Sequence, residues 1–152
     1  MAGRDGEVVD PRFAPIPHPA KPKVLRTGTY LHTSCPACGA EIVDRDWIHF
    51  MVISATGATG ELLLSARFNV FEQQATIPLG AGDEVRDVLC PHCRTSLLDP
   101  EQRCEYCGAR AMRIRVSAVR TELELLLCSR YGCHWHAVPE SDRQRLILEN
   151  ES

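Results

Sequence analysis

Eight cysteines are the residues of this chain best equipped for chemistry, and they fall into four close pairs: Cys35 and Cys38, Cys90 and Cys93, Cys104 and Cys107, Cys128 and Cys133. Three pairs are spaced C-x2-C and the last is C-x4-C. Two thiolates on one tight turn converge on a single metal ion, and two such turns complete a tetrahedron. Gly39 and Gly108 follow the second cysteine of their pairs and can take the positive φ such a turn needs, while Pro36 and Pro91 pre-set its first step. Eight thiolates make two closed four-sulfur sites with none left over.

A disulfide framework would require export, and Met1 to Glu7 has no apolar segment behind it. The expectation is therefore a cytoplasmic chain holding two Zn2+ ions. The ferredoxin run C-x2-C-x2-C-x3-C-P is absent, which favours zinc over a cluster. A single iron held in rubredoxin manner uses the same turns and is the alternative cofactor. Closed sites leave no coordination position open for a catalytic zinc. No nucleophile or acid–base motif accompanies them, so the chain reads as a non-enzyme.

Cys90-Pro91-His92-Cys93, the ten residues after it, and Cys104-Glu105-Tyr106-Cys107-Gly108 resemble the two-knuckle motif of zinc-ribbon, or rubredoxin-like, proteins. Cys35-Pro36-Ala37-Cys38-Gly39 resembles one of its knuckles. The chain departs from the motif at Arg94, where glycine is usual. The resemblance covers the knuckles, well under half of the chain. It implies a metal site and a β-hairpin and specifies no activity, because one scaffold hosts many functions.

Two pairings of the knuckles compete. In a nested scheme Cys90, Cys93, Cys104 and Cys107 share one ion, and Cys35, Cys38, Cys128 and Cys133 the other. In a sequential scheme Cys35 and Cys38 join Cys90 and Cys93, leaving Cys104, Cys107, Cys128 and Cys133 for the second ion. The ten-residue gap with a Pro turn slightly favours nesting, against the 20-residue hairpin gap that favours sequence order. His134 and His136 are the alternative ligands for the irregular last knuckle, although using one would strand a thiol. They are expected, with Trp135, to pack beside the site or form a contact surface. His32 is a more distant fallback and reads as a surface residue.

The elements that must position these turns are mainly β: a small antiparallel β unit joined to zinc-ribbon hairpins, with a short C-terminal helix. Residues 47–54 are rich in aromatic and β-branched types and predict a strand. A turn over 55–60 returns it as 61–65. Alternation over 67–71 predicts another strand, with Phe68 and Val70 on one face. Further strands are expected near 75–77 and over 84–89, and Trp47, Phe50, Phe68 and Phe71 are candidate core residues. Residues 96–98 predict a short strand, followed by a turn at Asp99-Pro100-Glu101-Gln102. Residues 111–127 read as a hairpin, with Met112, Ile114, Val116 and Ala118 on one face and Leu123, Leu125 and Leu127 facing one way on the return.

This gives a Pro-rich arm over 1–28, expected to be disordered or extended, and a zinc-ribbon domain over 29–139 with a β-rich insert at 41–89. A short helix at 140–152 follows, in which Leu146, Ile147 and Leu148 would dock on the sheet. The arm holds five of the ten prolines, and a partner protein could dock on it through Phe13 and Ile16. Nothing approaches the apolar length of a membrane span.

Net charge is −3, which argues against a nucleic-acid polycation. A nucleic-acid reading would rest on Arg110, Arg113, Arg115, Arg120 and Arg130. Arg113 and Arg115 are expected to be neutralised across strands by Glu122 and Glu124. The composite expectation is a non-catalytic structural zinc protein acting as an accessory subunit of a larger assembly, such as an enzyme complex, or as a protein–protein adaptor.

Overall fold

Two long hairpins carry the fold, one from a stretch rich in aromatic, β-branched and leucine residues and one in which apolar residues largely alternate with polar ones. The computed structural model describes residues 23–139, 142 and 146–148. In chain order the strands are β1 (Lys23–Leu25), β2 (His32–Ser34), β3 (Val43–Asp44), β4 (Trp47–Ser54), β5 (Thr59–Ser65) and β6 (Gln73–Ala75). They continue with β7 (Val85–Leu89), β8 (Leu98–Arg103), β9 (Arg110–Ala118), β10 (Thr121–Cys128), β11 (His136–Ala137) and β12 (Leu146–Leu148). Among the described residues no helix is long and apolar enough to cross a membrane.

The strands form two five-stranded antiparallel sheets and one short parallel pair. The insert sheet is built on the β4–β5 hairpin, with β6 beside β5, and β3 and β7 on the other side of β4. The ribbon sheet is built on the β9–β10 hairpin, with β11 beside β10, and β2 and β8 on the other side of β9. Each sheet is thus a long hairpin flanked by three short strands.

The period-2 pattern decides which faces meet. In β4, Ile48, Phe50, Val52 and Ser54 are buried while their neighbours are half-buried. In β9, Met112, Ile114, Val116 and Ala118 are buried, and Leu123 and Leu125 oppose them from β10. The apolar residues among these, from both sheets, form one core with Leu31, Phe68, Val88, Cys35 and Cys90. A second, smaller cluster gathers Cys104, Ala109, Ala111, Leu126, Cys128 and Trp135. Of the four aromatic core candidates, Phe50 and Phe68 are buried, and Trp47 and Phe71 lie half-exposed.

Several expectations are corrected. Residues 67–71 form no strand. Arg67 makes a single bridge to Tyr30, and Asn69 then turns the chain at φ 63°. The segment instead trades hydrogen bonds with the incoming chain, Gly28 N–H to Phe68 O (2.8 Å) and Phe68 N–H to Thr29 O (2.9 Å). The third insert strand is Gln73–Ala75 rather than 75–77. The turn at 99–102 is a bulge inside β8: Leu98 pairs with Met112 and Arg103 with Arg110, so β8 advances five residues while β9 advances two. Asp99 fixes that bulge by accepting hydrogen bonds from the N–H groups of Glu101 and Gln102, each at 2.8 Å.

The short C-terminal helix over 140–152 is absent among the described residues. Leu146–Leu148 is strand β12, running parallel to β1. A helix of two turns is marginal in water, whereas a strand beside β1 gains backbone partners. Leu148 packs against the main core. The Pro-rich arm expected over 1–28 lies, for its first 22 residues, outside the described residues; its last part includes β1, with Leu25 fully buried.

Candidate metal centres

The structure brings the eight thiols into two groups of four: Cys35, Cys38, Cys90 and Cys93, and Cys104, Cys107, Cys128 and Cys133. Within each group the sulfurs lie within 4.8 Å of one another. The nearest cross-pair distances are 3.8 Å for Cys35–Cys93 and for Cys38–Cys90, 3.7 Å for Cys104–Cys133 and 3.5 Å for Cys107–Cys128. Four sulfurs each about 2.3 Å from a metal stand about 3.8 Å apart along a tetrahedron's edges. The thiols therefore already stand at the separation one tetrahedral ion requires, and no two are joined as a disulfide.

The pairing is sequential, so the preference for nesting is overturned. The reason lies in the strands. A hairpin's two open ends are neighbours: Cys128 pairs with Ala111 across β9–β10, which sets the third and fourth knuckles side by side. β2 and β8 both pair with the same side of β9, at Ser34↔Arg115 and Leu98↔Met112. The first knuckle leaves β2 and the second enters β8, so these two also meet.

Three knuckles share one local design. Cys35 O, Cys90 O and Cys104 O accept from the N–H of Gly39, Arg94 and Gly108 at 2.9, 2.9 and 3.0 Å. The first sulfur of each turn accepts two backbone N–H groups, such as Ala37 (3.3 Å) and Cys38 (3.4 Å) onto Cys35. Such bonds stabilise the ionised sulfur that a metal needs. The residue after the turn is left-handed in all three: Gly39 at 76°, Arg94 at 63° and Gly108 at 80°. Arg94 thus takes a conformation that glycine adopts without strain.

The fourth knuckle differs. Cys128 N–H reaches Trp135 O (3.1 Å), and its sulfur accepts the Arg130 N–H (3.3 Å). The knuckle's four intervening residues, 129–132, two more than in the other knuckles, extend onto β6 and the loop between β6 and β7. Gly82 N–H donates to Tyr131 O (2.7 Å), Tyr131 N–H to Asp83 O (3.0 Å) and Gly132 N–H to Gln73 Oε1 (2.8 Å). Arg130 adds Nη1 to Gly82 O (3.0 Å) and Nη2 to Glu84 Oε2 (2.6 Å). The C-x4-C spacing is the sequence signal for this contact, and its purpose is legible only in three dimensions.

In each group a buried thiol sits beside an exposed one. Burial pushes Cys35 up to about 11, and burial also raises Cys128 and Cys133. The Thr95 hydroxyl and backbone bring Cys93 down to about 6. Cys107 also falls to about 6: burial raises it, but the Ala109 N–H, Cys128 and the Arg130 guanidinium outweigh that. A metal binds thiolates, so occupancy of either group would release protons.

No histidine nitrogen joins either group among the described residues. His134 lies flat on Phe71 with ring centroids 4.3 Å apart, and His136 meets Phe68 edge-on at 5.0 Å. His32 packs against Tyr30. Trp135 is buried in the cluster around the second group. His134 and His136 line a cavity of about 70 Å³ between the sheets together with Leu31, Ile48, Leu64 and Ile114.

Of the arginines considered for nucleic acid, Arg113 is held by Asp99 at 2.7 Å and by Glu124, and it is only partly exposed. Its acidic partner within the hairpin is Glu124 alone, on the diagonal; Glu124 pairs in register with Arg115 and Glu122 with Ser117. Arg115 is exposed on the same face.

The fold and these sites define a class: a mainly antiparallel β chain with two four-cysteine groups that could hold metal ions, compatible with zinc-binding knuckles. Comparison with protein-family models, curated proteins and solved structures finds no match to this chain.

Proposed function

We propose that this chain is a non-catalytic zinc protein whose two ions hold its fold together, and that it serves as an accessory subunit or protein–protein adaptor in a larger assembly. The observation that carries the metal reading is the arrangement of all eight thiols in two four-sulfur groups at tetrahedral spacing. Each group supplies four protein ligands, the set of a structural site rather than of a catalytic one. Engagement of Arg113 by Asp99 and Glu124 counts against a phosphate-binding face. The adaptor role draws support from the Pro-rich arm expected over 1–28, whose composition suits docking to a partner, and from Phe71, His134 and His136, which line the inter-sheet cavity and are not fully buried.

Native mass spectrometry with elemental analysis tests the metal reading. Two zinc ions per chain are expected. A mass equal to the bare polypeptide would sink it, and a reducible visible absorption band would assign iron instead. Sizing the chain in extract from its own host tests the assembly role. Migration at the mass of the free monomer would remove that role while leaving the metal reading intact.

A further inference from the structure

The second centre is tied to the opposite sheet by its own knuckle, and one side chain stands at the middle of that tie. Arg130 donates its backbone N–H to Cys128 Sγ (3.3 Å). Its Nη1 and Nη2 reach Gly82 O (3.0 Å) and Glu84 Oε2 (2.6 Å) on the β6–β7 loop. Its Nε is buried and has no hydrogen-bond partner among the described residues. A four-thiolate zinc site carries a net charge of −2, and groups around the ligands commonly orient them and tune the metal. A planar guanidinium with donors on several edges can serve a sulfur and a carboxylate together. At the first centre the corresponding support comes from a neutral group, the Thr95 hydroxyl 3.3 Å from Cys93 Sγ.

We propose that Arg130 is a positioning residue of the second centre, supporting its thiolates and coupling metal held there to the order of loop 80–84 in the insert sheet. This rests on the two-metal reading given above. Its consequence is an inequality: the second ion is held more slowly exchanging than its own ligand set alone would make it, and stripping that ion loosens a loop that contributes no ligand.

The test is metal release from full-length, metal-loaded protein into excess chelator. Alkylation and peptide mass spectrometry then assign each released ion to a centre. Arg130→Ala should release the ion of Cys104, Cys107, Cys128 and Cys133 about 10–100-fold faster, with the other ion unchanged. Arg130→Lys, which keeps the charge, should recover part of the slow release. In the wild type, amide exchange at Gly82 and Tyr131 should quicken once the second ion is removed.

Unchanged release from Arg130→Ala, equal acceleration of both ions, or exchange at Gly82 that ignores the metal would each overturn the inference. Faster amide exchange with release unaltered would mark Arg130 as a packing residue only, and would also overturn it. Should Arg130→Ala fail to fold, Glu84→Gln reads the same tie. It should speed release of the same ion by a smaller factor, and no change there counts against the proposal. Wild-type protein that takes up no metal ends the two-metal reading and this inference together. Two ions bound with Arg130 indifferent end the inference alone.

Discussion

The two four-cysteine groups are built from nearly the same turns but hold different places in the fold. The first sits where the chain passes between sheets: its knuckles lie between β2 and β3 and between β7 and β8, and each of those pairs has one strand in either sheet. Its buried thiols, Cys35 and Cys90, belong to the main core. The second sits at the open end of one hairpin, with all its flanking strands in the ribbon sheet and its own small apolar cluster. The same ligand set therefore joins two sheets in one place and closes a single sheet in the other. Among the described residues, the irregular fourth knuckle connects the second group to the loop before β7 of the insert sheet.

The largest expected effect follows from that difference. Structural zinc contributes about 10–16 kcal/mol of apparent folding free energy, as much as the whole stability of a typical domain, about 5–15 kcal/mol. Cys90→Ser should abolish slow amide exchange in both sheets. Cys104→Ser should loosen the ribbon sheet near the knuckles and leave β4 and β5 protected. Identical exchange patterns for the two variants would erase the contrast between the centres. Chelation of both ions should unfold at least residues 90–136. At the second knuckle, Cys93→Ser should destabilise far more than His92→Ala, since the exposed His92 side chain is expected to contribute within about 0.5 kcal/mol.

A middle-sized effect is expected at Asp99, which belongs to the ribbon sheet alone. Burial raises its pKa, but the N–H groups of Gln102 and Glu101 and the Arg113 guanidinium outweigh this and leave it lowered. A carboxylate depressed in the folded state adds stability that is complete above its unfolded pKa, about 3.9, and is lost as pH falls through the lower folded value. Asp99→Asn should cost about 1–3 kcal/mol at neutral pH. The gap in melting temperature between the two proteins should stay constant from about pH 7 to 5 and close only in stronger acid. Metal loss in acid strikes both proteins, so the difference between them is the quantity to follow. A gap that widens in acid would contradict the assignment.

The smallest effect compares one position in two knuckles. Arg94 and Gly108 both take a left-handed φ after the second cysteine, and Gly108 has open space where a Cβ would point. Arg94→Gly should stabilise the first centre, and Gly108→Ala should weaken the second, each by about 1 kcal/mol. Denaturant titration of the metal-loaded variants measures both, and opposite signs are the expected outcome.

Local periodicity carried far along this chain. Strand 47–54 was legible from its aromatic and β-branched residues, and the 111–127 hairpin from Met112, Ile114, Val116 and Ala118 recurring at every second position. The 67–71 stretch misled for the same reason: Phe68 and Val70 alternate as a strand should, yet Asn69 turns left-handed and the segment pairs with residues 28–29, far away in sequence. The C-terminal segment misled because its apolar residues suited a helix face, while its partner β1 lies more than 120 residues upstream by the chain numbering. The sequential pairing of knuckles was within reach, since a hairpin over 111–127 already places the third and fourth side by side.

What the sequence alone determined is the inventory: eight cysteines on four tight turns, enough for two four-sulfur groups. Cysteine spacing is local, and the turns that converge two sulfurs need no help from the rest of the chain. Which turns share an ion, and why the last one is longer, was decided by β2 and β8 meeting on one edge of β9 and by residues 129–132 reaching loop 80–84. Those contacts join residues tens of positions apart, where no short-range pattern can register them.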